Sequence, residues 1–90
     1  MKRNPDFLLR RVADTDVVVP VGPATEKLAG MIHLNGSGVF LWEKLETEQT
    51  LESLTEALTR EYDVDRDRAC ADVQRFLEAL IPTGAILDME

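Results

Sequence analysis

Met31-Ile32-His33-Leu34-Asn35-Gly36-Ser37-Gly38-Val39-Phe40-Leu41-Trp42 is the stretch in which this chain turns from strand-like to helix-like. Met31 to Leu34 reads as a short strand. Asn35 is a good helix N-cap, because its side-chain oxygen can accept from the free N–H groups of a first helical turn. Leu34 before the cap and Val39 four residues after it have the spacing of a hydrophobic staple. Gly36 and Gly38 let another group approach closely, at a cost in helix propensity. A helix is expected from Gly36 to about Leu45, with Phe40, Leu41, Trp42 and Leu45 as its apolar surface.

Upstream of this junction the pattern is extended. Phe7 to Val12 reads as a first strand, Asp14-Thr15-Asp16 as a turn, and Val17-Val18-Val19 as a strongly β-branched second strand. Pro20 should end that strand. Gly22 to Ala29 reads as a loop, and Met31 to Leu34 returns as the third strand. Short connections make an antiparallel meander the economical arrangement.

Downstream the period is helical. Thr50 can cap a second helix carrying Leu51, Leu54, Leu58 and Tyr62 on one face. Asp65 can cap a third, with Ala69, Cys70, Val73, Phe76, Leu77, Leu80 and Ile81 apolar. That set is broader than one stripe, so the helix can serve both the core and a second contact. Pro82 and Gly84 stop it, and Ala85-Ile86-Leu87 reads as a short terminal strand or extended tail. The expected fold class is α+β: a three-stranded antiparallel sheet followed by three α-helices, in a single domain over residues 1–90.

Composition narrows the function. Ninety residues support one small core. The net charge of −7 argues against nucleic acid as the main partner, and suits a peptide bearing positive charge. A single cysteine, Cys70, forms no internal disulfide and no metal site, and fits a reducing cytoplasm. Phe7-Leu8-Leu9 is too short for the apolar core of a secretion signal. No apolar run is long enough to span a membrane, and no cofactor is expected.

Catalytic patterns are weak. His33 sits in a strand with no Ser or Cys at motif spacing. Asp63-x-Asp65-x-Asp67 begins like a calcium loop, but Arg68 stands where glycine is needed and Gln74 where glutamate is needed. Helix capping explains those carboxylates better. A winged helix-turn-helix that reads DNA should carry a basic third helix. Here Asp65, Asp67, Asp72 and Glu78 outweigh Arg66, Arg68 and Arg75. Two readings of the residues stay open. An exposed strand edge beside an apolar helix can accept an extended peptide as an added strand. Alternatively the edges are covered and the third helix is simply core, which leaves a structural adaptor. An open edge can also pair with its own copy, giving a homodimer.

Several spacings together resemble one family. Leu34-Asn35-x-x-Gly38-x-x-x-Trp42-x-x-Leu45 is followed by the Thr50-led helix with Leu54 and Leu58. Then come Tyr62-Asp63-Val64 and Asp72-Val73-x-x-Phe76-Leu77-x-x-Leu80-x-x-x-Gly84. From the second strand to the end, this order is similar to that of the PqqD-like proteins. The resemblance implies a winged helix-turn-helix-like domain that recognises ribosomally made, modified peptides and is not an enzyme. It implies binding of the leader part of a precursor peptide and its presentation to a modifying enzyme, either a radical SAM protein or a leader peptidase. The leader would add to the third strand (Met31, Ile32, His33 and Leu34). It would lie against the third helix, on a face drawn from Ala69, Cys70, Val73, Gln74 and Leu77. The family is named after pyrroloquinoline quinone biosynthesis, and no residue here specifies that product.

Overall fold

A computed structural model describes residues 1–21 and 32–87. Met31 and the expected loop at Gly22 to Ala29 lie outside the described residues. Among the described residues five strands and three α-helices follow in order: β1 (Lys2–Arg3), β2 (Phe7–Val12), β3 (Thr15–Pro20), β4 (Ile32–Leu34), α1 (Gly36–Lys44), α2 (Leu51–Glu61), α3 (Arg66–Leu80) and β5 (Ile86–Leu87). A 3₁₀ turn, Ile81–Thr83, joins α3 to β5.

The main sheet is antiparallel in the order β2-β3-β4. The valine run explains why β3 is central. Val18 pairs with Leu9 on one side and Ile32 on the other, and Val17 with Arg10 and His33. Side chains alternate across a strand, so Phe7, Leu9, Val18, Ile32 and Leu34 share the face that meets the helices. Val17, on the opposite face, is buried as well. Pro20 closes β3, where its missing N–H costs least.

The β2–β3 turn is tighter than Asp14-Thr15-Asp16. Val12 pairs with Thr15, which leaves only Ala13 and Asp14 in the loop. A two-residue hairpin loop needs positive φ, and Ala13 takes it at +55°. This is the region where a Cβ is crowded. The sequence offered no glycine at this point, so the shorter turn was hidden.

Each helix starts on a side-chain cap. Asn35 Oδ1 accepts from the Gly38 N–H at 2.8 Å and from the Ser37 hydroxyl at 3.0 Å. Thr50 and Ser53 form a reciprocal capping box, at 3.0 and 2.8 Å. Asp65 Oδ1 accepts from the Arg68 N–H at 2.8 Å. Leu45, expected as the last residue of α1, is its C-cap, and its N–H reaches the Leu41 and Trp42 carbonyls.

Trp42, Leu41 and Leu45 of α1 form the core with Leu54 and Leu58 of α2 and Ala69, Val73, Leu77 and Leu80 of α3. Trp42 is 1% exposed, so it belongs to the core and not to a partner surface. Thr55 is the buried polar side chain of this region, and its hydroxyl donates to the Leu51 carbonyl at 2.7 Å.

The two end segments close the helical layer. β1 pairs with β5, a strand that composition did not signal at Lys2-Arg3. Arg3 N–H donates to the Leu45 carbonyl at 2.9 Å, and Asn4 N–H to the Ala85 carbonyl at 2.8 Å. The Asn4 side-chain amide donates to Gly84 O at 2.9 Å. Gly84 holds φ +87°, a left-handed geometry that glycine adopts freely.

Two stability measurements follow. Asn35→Ala removes the α1 cap and should cost about 1 kcal/mol, read as a lower urea midpoint with an unchanged slope. An unchanged midpoint would mean that the cap contributes nothing. Ala13→Gly relieves the positive φ and should raise stability by about 0.5–1 kcal/mol. A loss would show that the hairpin is not strained there.

Candidate functional site

β4 enters the sheet from one side only. Among the described residues it pairs with β3 and with no other strand, so one row of its backbone groups faces outward. Beside that row a groove of about 650 Å³ runs between β4 and α3, and the first turns of α1 close its end.

The groove has an apolar floor and a charged rim. Ile32 and Leu34 of β4, Leu41 of α1, and Phe76 and Leu80 of α3 supply the floor. Arg68, Asp72 and Arg75 stand along the α3 side. Arg75 and Asp72 form an ion pair at 3.3 Å. Asn35, Ser37 and Gly38 line the groove where β4 becomes α1. A Cβ on Gly38 would lie 3.2 Å from Asn35 Oδ1 and 3.3 Å from Leu34 Cβ. Glycine there lets α1 start directly against the strand it follows.

The residues expected at the site divide. Ile32, His33 and Leu34 lie on the open strand, and all three line the groove. Ile32 and Leu34 are half-buried toward the core, and His33 is exposed on the other face opposite Val17. On α3 the lining differs from the expected face. Ala69, Val73 and Leu77 are buried in the core. Cys70 is half-buried, with a free thiol. Gln74, with Leu77, borders a separate shallow recess shared with Leu51, Glu78, Ile81 and Pro82.

The reason is angular. A helix turns 100° per residue, so Ala69, Val73, Leu77 and Leu80 form one stripe, and that stripe points at α1 and α2. The groove takes the adjacent stripe, Arg68, Asp72, Arg75, Phe76 and Ala79. Its signal in the sequence was Phe76, the one large apolar residue off the central stripe, flanked by Arg68 and Asp72 at helical spacing.

A second recess, of about 780 Å³, lies beside β1, β2 and α1. Leu8 and Leu87 are exposed along it, and Lys2, Arg3, Glu43 and Glu46 also line it. The sheet edge there, β2, also has one partner strand.

Among the described residues no three of His, Cys, Asp and Glu come together as metal ligands. Asp65, in the run resembling a calcium loop, is engaged in capping α3. Among the same residues no helix is long and apolar enough to cross a membrane.

Comparison with known proteins bears on this geometry. No curated protein matches the chain. A solved structure described as TbiB1 in complex with the TbiA(β) leader peptide superposes with a TM-score of 0.75 at 23% identity. The match covers 100% of this chain and 99% of that one. At that identity the likeness establishes the fold. The family model of coenzyme PQQ synthesis protein D (PqqD) matches residues 21–86. A match over that much of the sequence, on the strand–cap–helix order described above, places the chain in the PqqD family.

Proposed function

We propose that this protein is a non-catalytic peptide carrier. It takes the leader segment of a ribosomally synthesised precursor as an added strand on β4 and presents it to a modifying enzyme. That enzyme is of the radical SAM or leader-peptidase class that the family resemblance implies. The observation that carries the reading is the edge of β4 that has no partner strand among the described residues, beside a groove with an apolar floor and a wall of α3. TbiB1, which shares the fold, is described in complex with a leader peptide.

The physical argument has two parts. A peptide strand beside β4 would satisfy backbone N–H and C=O groups that otherwise face water, which gives affinity with little regard to sequence. Its alternate side chains would enter the groove and bury apolar area on Ile32, Leu34, Leu41 and Phe76. Backbone pairing alone is weak, since each net hydrogen bond contributes about 0.5–1.5 kcal/mol. The groove therefore supplies most of the selectivity.

Titrating isotope-labelled protein with the leader peptide encoded beside the gene tests this. The amides of Ile32, His33 and Leu34 and of Arg75 to Ala79 should shift together. Shifts confined to Phe7–Leu9 would move the site to the second recess, and no shift with any such peptide would sink the reading. Two substitutions separate groove from core. Phe76→Ala should weaken binding about tenfold by removing apolar burial, with the fold intact. Val73→Asp places an unpaired charge in the core and should unfold the domain instead.

A further inference from the structure

The chain as a whole is acidic, with a net charge of −7, which favours a basic partner. The groove has the opposite local balance. Among the described residues its ionised rim groups are Arg68, Asp72 and Arg75. Two guanidiniums against one carboxylate leave one positive charge. Asp72 is already taken by Arg75. The ion pairs among the described residues engage Arg60, Arg66 and Arg75, and none engages Arg68.

We infer that the peptide strand bound along β4 is an acidic one, with an Asp or Glu side chain seated against Arg68 and Arg75. The inference rests on the leader-binding reading given above and names the chemistry which that site selects.

The spacing suits a strand. Arg75 follows Arg68 by seven helical positions, about 10 Å along the axis. A peptide strand covers that distance in about three residues, so one or two of its groove-facing side chains pass between the guanidiniums. Arginine presents a planar fork that matches a carboxylate. Asp72, between the two, penalises a second carboxylate at its own level and fixes which position is acidic. The field outside the groove is negative, so it slows the approach of an acidic peptide while the rim holds it. Added salt therefore screens two opposing effects. For that reason substitution, and not ionic strength, is the decisive variable.

The test is fluorescence anisotropy with synthetic leader peptides of the precursor encoded beside the gene. Each Asp or Glu is replaced in turn by its amide and by Lys. One position should lose roughly two- to fivefold on amide substitution, the range of an exposed ion pair, and more with Lys. Arg68→Glu should lose affinity for the native peptide and recover it with the Lys peptide at that same position. Arg60→Glu changes net charge equally, lies on α2 outside the groove, and should leave binding unchanged. Circular dichroism confirms that both variants fold.

Binding that is indifferent to every acidic position, or Arg68→Glu binding as well as the parent, overturns the acidic selection and leaves the carrier reading in place. Equal losses in Arg68→Glu and Arg60→Glu overturn it too, because only net charge would then matter. No binding by any peptide removes both.

Discussion

The geometry of this protein depends on one junction, where β4 runs through Asn35 into α1 without a loop. Asn35 caps α1 through the Gly38 N–H and the Ser37 hydroxyl, while Gly38 packs against Leu34 of the strand. The sheet edge and the helical layer are thereby fixed at a set angle, with no spare residues to relax it. Leu41 and Trp42, one turn later, reach the core. Everything the groove needs follows from that angle. β4 is held at the rim, α1 closes one end, and α3 packs on α1 and α2 to form the far wall.

Much of this was legible from residue types. The three caps at Asn35, Thr50 and Asp65 were readable because Asn, Thr and Asp satisfy orphan N–H groups locally, whatever the tertiary setting. The extended pattern of Phe7 to Val12 and the β-branched valine run were readable as strands from residue type. The β1–β5 pair was not. Two-residue strands carry no period, and their pairing joins residues more than 80 positions apart. The turn at Ala13 was hidden because the conformation is imposed by register and not by residue preference.

The groove face of α3 shows where pattern reading stops. The apolar set was read as too broad for one contact, and among its members Ala69, Val73 and Leu77 are taken by the core. A helix wall that meets solvent carries charge at its rim, so its markers were Arg68, Asp72 and Arg75. Sequence reading had spent these on judging DNA binding. A whole-chain sum of −7 says nothing of which sign lines a particular groove.

β4 is described over three residues, Ile32–Leu34. Over that span it offers an incoming strand only a few hydrogen bonds, since successive residues in a strand direct their backbone groups to opposite sides. A longer flat edge would recruit any extended chain, including other copies of itself, and natural sheets avoid this with short edge strands. It would also release what it caught slowly, because affinity differences within one interface reside mostly in the dissociation rate. A short edge keeps residence brief unless the side chains agree.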